Sequence, residues 1–166
     1  MQKTIQLIGL LCLCSVLLYS CKKTEGCTDN QATNYNPDAE KNDGSCVFPY
    51  DAYLGTYSVK EQYYGDYCPV DSIYYTLEIK AGTRGIEILA DRLHGNLRDV
   101  PLLIDANWIY LEDVMIIMAE GGEIYDFTFM NGFKVGEVIN ISYFLTDINY
   151  FGNCGGINCT AELTKQ

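Results

Sequence analysis

The chain has 166 residues, a formal net charge of −11 and 48% hydrophobic residues. That length suits one domain with a short module beside it. The acidity repels nucleic acid and anionic headgroups, so no nucleic-acid partner is expected. With 14 tyrosines and many β-branched residues, the composition leans toward strands.

Residues 1–21 read MQKTIQLIGLLCLCSVLLYSC. A positive charge at Lys3, an apolar run from Leu7 to Leu18, small Ser20 and then Cys21 form the anatomy of a secretory signal. The run falls short of the roughly 20 apolar residues that a membrane-spanning helix needs. Leu18-Tyr19-Ser20-Cys21 resembles the lipobox of bacterial lipoproteins. The resemblance implies cleavage of residues 1–20, a diacylglyceryl group on the Cys21 sulfur and an acylated new N-terminus. Acyl chains rather than charge would then hold the membrane. The implied place is the bacterial cell envelope, at the outer membrane. Residues 22–25, Lys-Lys-Thr-Glu, are not acid-rich, which favours the periplasmic face and leaves the outer face open.

Residues 21–25 form a lipidated tether, and residues 26–47 a small module. Its GCTDNQATNYNPDAEKNDGSC resembles an extracellular module of exported bacterial proteins, G-C-x-D at one end and D-G-S-C at the other. Such a stretch is too short for its own core and needs a staple. Cys27 with Cys46 would close a loop of about 20 residues, contributing on the order of 3 kcal/mol. Asp29, Asn34, Asn36, Asp38, Asn42 and Asp43 crowd this loop. They offer oxygens for a calcium ion, or they serve as turn and cap residues. The turn reading is the simpler, and calcium is the one cofactor entertained; otherwise none is expected.

Alternation then takes over, in a main domain over residues 52–166. Tyr57, Val59 and Glu61 share one face of a strand over 56–62. Ile73, Tyr75, Leu77 and Ile79 repeat the pattern, and residues 85–89 return with Ile86 and Ile88 on one face. Residues 96–99 read as a loop. Strands over 102–105 and 108–111 flank Ala106-Asn107, which predicts a hairpin. The apolar run 114–118 predicts a strand fully covered, or at a lipid or protein contact. Tyr125, Phe127 and Phe129 alternate next, and Asn131-Gly132 predicts another hairpin turn. Ile139, Ile141, Tyr143 and Leu145 form one further inward face, and Cys159, Ala161 and Leu163 the last.

This predicts an all-β chain of eight or nine short strands, an up-and-down antiparallel meander closing into a barrel. The opening Tyr53-Leu54-Gly55-Thr56-Tyr57 and the closing Cys159-Thr160-Ala161-Glu162-Leu163 resemble lipocalin-like lipoprotein domains, although the glycine-x-tryptophan opening is absent. In such a barrel the first and last strands are neighbours, so Cys68 is expected to pair with Cys159, with Cys154 as the competing partner.

No catalytic motif is present: no G-x-S-x-G, H-E-x-x-H or glycine-rich phosphate loop. The single histidine, His94, reads as an exposed loop residue, and no enzymatic activity is expected. Binding is the better expectation. Tyr57, Tyr75, Trp108, Tyr110, Tyr125, Phe127 and Phe129 could line a pocket for a small apolar ligand or a glycan, or simply fill the barrel. In the second case the chain is a structural or interaction lipoprotein, with Tyr63, Tyr64, Tyr67 and Tyr74 meeting an envelope protein or glycan. Asp71-Ser72-Ile73 resembles a three-residue O-glycosylation site of exported proteins, which marks Ser72.

Overall fold

The computed structural model describes residues 23–65, 68–113, 115–119, 121–122, 124–147 and 156–166. The signal segment, Cys21, Tyr67 and Cys154 lie outside the described residues, as do the side chains of Cys68 and Phe129. The chain forms two compact units, one running through Asn30 with Asn34–Cys46, the other comprising Gln31–Thr33 and Val47–Gln166.

In the first unit, β1 (Glu25–Gly26) pairs in parallel with β2 (Lys41–Asn42). The Cys27–Cys46 disulfide joins the two ends of the loop, and Cys27 is buried. Turn chemistry does the rest. Asn36 Oδ1 accepts from the Asp38 amide at 3.0 Å, Asn42 Oδ1 from Gly44 at 2.9 Å and Asp43 Oδ1 from Ser45 at 2.9 Å. Asn34 donates to the Ser45 carbonyl at 2.6 Å. Asn36, Asn42 and Asp43 fold back on their own backbone because such short side chains reach an amide two residues on, whereas Asn34 ties across the loop.

The second unit is the barrel. After a 3₁₀ turn at Pro49–Ala52 come β3 (Gly55–Gly65), β4 (Cys68–Ala81), β5 (Glu87–Asp91), β6 (Val100–Asp105) and β7 (Trp108–Tyr110). Next follow β8 (Met115–Met118), β9 (Ile124–Val135), β10 (Val138–Asp147) and β11 (Ile157–Lys165). Every pairing is antiparallel, and the ring runs β3-β4-β5-β6-β7-β9-β10-β11 before β11 returns to β3. The closing register sets Leu163 opposite Val59 and Ala161 opposite Glu61. Strand β8 pairs with the early part of β9, beside β7. Closure removes the open edges that an eight-stranded meander would otherwise leave.

Period-two patterning sets the inside. Tyr57, Leu77, Ile88, Phe127, Ile139 and Leu145 have no solvent exposure and belong to one core. The β6–β7 hairpin turns at Ala106-Asn107, with Asp105 opposite Trp108, as expected.

Two local expectations fail, and a third is narrowed. Asn131-Gly132 is not a turn but lies inside β9, and the chain reverses at Gly136–Glu137, between paired Val135 and Val138. The glycine is needed for room: a Cβ on Gly132 would sit 2.6 Å from Ile141 Cγ2 and 2.8 Å from the Asn140 carbonyl. Within the apolar run 114–118, Ile117 is buried and Ile116 is 70% exposed, so the fully covered alternative does not hold and the alternative of a lipid or protein contact stays open. Ile86 does not share the inner face with Ile88; it precedes β5 and is 40% exposed.

Candidate functional site inside the barrel

Glu61 is the fully buried carboxylate of β3, one alternation beyond Val59 and flanked by Ile73 on β4 and Ala161 on β11. A carboxylate without water must find donors. Glu61 has them on both oxygens. The Tyr75 and Tyr143 hydroxyls each donate to Oε2 at 2.6 Å, and His94 Nδ1 meets Oε1 at 2.5 Å. With Glu61 ionised, Nδ1 carries the proton of that bond. Burial alone would push the Glu61 carboxyl up. The His94 hydrogen bond and charge, followed by the two phenols, outweigh it and hold the carboxyl below its ordinary value.

His94 reaches this place through the β5–β6 connection. Leu93 and Leu97 form a bridge, are both fully buried and belong to the same core, so the turn folds inward. Arg92 and His94 take positive φ values of 73° and 53°, conformations that L-residues adopt only when the surroundings hold them. Here the Arg92 amide donates to the Leu97 carbonyl and the Leu97 amide to the Leu93 carbonyl, both at 2.8 Å, and the His94 amide donates to the Tyr75 hydroxyl at 3.1 Å. At the outer end of the turn, Asp91 accepts from Lys80 at 2.9 Å and from Arg98 at 3.1 Å. The His94 side chain is 14% exposed, which corrects the expectation of an exposed loop histidine. Three phenol rings stand edge-on to the imidazole, Tyr63 at 6.1 Å, Tyr125 at 6.2 Å and Tyr143 at 6.5 Å between centroids.

Cys159 completes the group. It lies on β11 opposite Tyr63 and Tyr143 and carries a free, buried thiol, so the expected Cys68–Cys159 bridge is not formed. Cys159 points into the barrel, where its alternation with Ala161 and Leu163 places it. Burial first, then the Glu61 charge, pushes the thiol well above its ordinary range. A thiol held protonated is no nucleophile. Among the described residues, Glu61, His94 and Cys159 form the cluster of His, Cys and acidic side chains whose ligand atoms come within 4.8 Å of one another.

The expected pocket residues divide. Tyr57 and Phe127 are core, Phe127 stacking on Tyr143 at 5.2 Å. Tyr75 and Tyr125 belong to the Glu61–His94 group. Trp108 and Tyr110 do not line the interior: they are 60% and 37% exposed, because Ile109 between them is the inward residue. Trp108 packs edge-on against Phe133 on the outer wall. Of the tyrosines expected outside, Tyr64 and Tyr74 are exposed, whereas Tyr63 turns inward toward His94. Ser72 is half-buried in β4 with its amide on Asp71. Asp29, Asn34, Asp38, Asn42 and Asp43 lie on the exposed surface of the first unit.

Sequence reasoning placed Glu61 on the Tyr57–Val59 face, and that was the available signal: a carboxylate at an inward position needs partners. His94 carried no such signal.

No family model and no solved structure matches this chain. A curated protein that it matches, ribulose bisphosphate carboxylase/oxygenase activase 1, chloroplastic, of Larrea tridentata, is 65% identical over 26 residues. That stretch is 16% of this chain and spans only 6% of the relative, too little to bear on fold or function.

Proposed function

We propose that this chain is a lipid-anchored envelope lipoprotein whose barrel binds a small, largely apolar ligand without making or breaking bonds. The observation that carries the reading is the imidazole of His94, fixed through Nδ1 by Glu61 and surrounded by Tyr63, Tyr125 and Tyr143. Apolar walls with one or two fixed polar groups are what small-ligand sites are made of. The ring's second nitrogen, Nε2, supplies the polar anchor, and the phenols supply the walls. Both polar ends of the Glu61 carboxylate are already taken up by His94, Tyr75 and Tyr143, which supports a fixed binding wall. The signal anatomy ending at Cys21 and the stapled module after it support the anchored, exported setting.

Native mass spectrometry of the protein extracted from its own membrane tests this. An added mass is expected that the Tyr125→Ala and His94→Ala variants lose while remaining folded. A parent protein that carries and takes up nothing sinks the binding reading. Radiolabelled palmitate tests the anchor, with incorporation expected in the parent and none in Cys21→Ala.

A second reading is a filled barrel that acts through its outside. Tyr74, 73% exposed on the outer wall, and the Trp108–Phe133 pair favour it. Loss of a co-purifying envelope protein on Tyr74→Ala and Trp108→Ala, with no ligand bound inside, would select it.

A further inference from the structure

We propose that Glu61, His94 and Cys159 form a transition-metal site, with zinc(II) the best-fitting ion. This rests on the cluster alone and holds whether or not the barrel also takes an organic ligand. A carboxylate oxygen, an imidazole nitrogen and a thiol sulfur converge from three separate elements, β3, the β5–β6 turn and β11. All three ligand atoms lie within 4.8 Å of one another, beside a largely apolar core and the phenols of Tyr75 and Tyr143. Sulfur and imidazole together exclude calcium and magnesium and suit zinc.

The distances are close to what an ion needs. Two ligand atoms on one tetrahedral zinc, at about 2.0–2.3 Å from it, lie about 3.3–3.6 Å apart. The 2.5 Å contact between Nδ1 and Oε1 must therefore open by about 1 Å, and the sulfur must close by a similar amount at most. His94 is the part that can yield. It sits on a turn, and its ring contacts among the described residues, with Tyr63, Tyr125 and Tyr143, are edge-on at 6.1–6.5 Å between centroids rather than stacked. Oε2 keeps both phenols, so Tyr75 and Tyr143 would orient the carboxylate from behind, the usual support for a metal-bound side chain.

Charge also balances. The thiol proton leaves to solvent, Nδ1 gives up its proton while Nε2 carries one, and no electron moves. Zinc with one carboxylate, one thiolate and a neutral imidazole is then uncharged, which lets a divalent ion enter a dry interior. Three protein ligands leave a fourth position for water or a small ligand.

The test uses the full chain, purified reduced and stripped with a chelator, with cobalt(II) as the optical probe and zinc(II) as the competitor. One equivalent of cobalt is expected, giving a sulfur-to-cobalt absorption in the near ultraviolet and tetrahedral bands in the visible, both displaced by zinc. Cys159→Ala and His94→Gln should lose the sulfur absorption and the tetrahedral bands respectively, while keeping the parent's near-ultraviolet circular dichroism. Cys68→Ala and Cys154→Ala should leave both intact. Zinc should also raise the melting temperature of the parent and not that of Cys159→Ala. No bound cobalt in the folded parent at tenfold excess overturns the proposal, and so does a signal that survives Cys159→Ala. If a variant fails to fold, the parent's own titration and the Cys68→Ala and Cys154→Ala signals still decide.

Discussion

Replacing Tyr143 with phenylalanine removes one oxygen and little else. The ring stays stacked on Phe127, whose centroid is 5.2 Å away, so packing survives. What is lost is one of the two phenol donors, at 2.6 Å, on Oε2 of a carboxylate with no solvent exposure. A hydrogen bond to a charged group contributes about 1.5–3 kcal/mol. Tyr143→Phe is therefore expected to lose about 2 kcal/mol of stability, and Tyr75→Phe the same or slightly more, since its hydroxyl also receives the His94 amide. Together the two variants leave Oε2 without a phenol, and water cannot replace it. The double variant should then lose about 0.5–3 kcal/mol beyond the sum of the singles. Urea unfolding reads all three. With a slope of about 1–3 kcal/mol per molar, each single shifts the midpoint by about 1 M without changing the slope. Single variants within about 0.5 kcal/mol of the parent, with an additive double, would refute the reasoning. The carboxyl would then not be an ion held in a dry site.

Gly132→Ala is expected to lose about 1–3 kcal/mol, because the new methyl meets the Ile141 side chain and the Asn140 carbonyl; an unchanged urea midpoint would put the turn back at Asn131-Gly132. Gly136→Ala meets no atom within 4 Å and should lose only about 1–2 kcal/mol, through its φ of 59°. Removing the Cys27–Cys46 bridge as Cys27→Ala with Cys46→Ala should cost the first unit on the order of 3 kcal/mol, read as faster proteolysis within residues 26–46. Asp91 accepts from Lys80 and Arg98, and these partners hold its carboxyl below its ordinary value against the opposing effect of burial. Because the folded value is the lower one, this stabilisation is complete above the ordinary carboxylate range and fades as pH falls through the folded value. Asp91→Asn should therefore flatten the loss of stability below about pH 4, measured as urea midpoints across an acid series.

Much of the barrel could be read from the chain itself, because one-sided burial writes a period of two. Tyr57, Val59 and Glu61, then Ile139, Ile141 and Tyr143, then Cys159, Ala161 and Leu163 alternate, and those residues face inward. The seam followed too, since a meander of that many strands brings its first and last strands together. The stapled loop was legible for a related reason: a stretch too short for a core must be tied by its cysteines.

Tertiary structure decided where local signals compete with long-range pairing. Asn131-Gly132 has turn chemistry, yet β10 pairs through it, and the glycine's lack of a side chain serves the close approach of Ile141. Cys159 could be placed on its strand but not beside its neighbours: facing into the barrel sets its free thiol beside Glu61 and His94, a company fixed by pairing across three elements. His94 shows the limit best. Four residues of turn-forming sequence look solvent-bound in one dimension, and only the burial of Leu93 and Leu97 draws the turn inward and sets the imidazole on the carboxylate. A strand's periodicity is a property of neighbours along the chain, whereas the company of a buried charge is set by elements 14, 33 and 82 residues away.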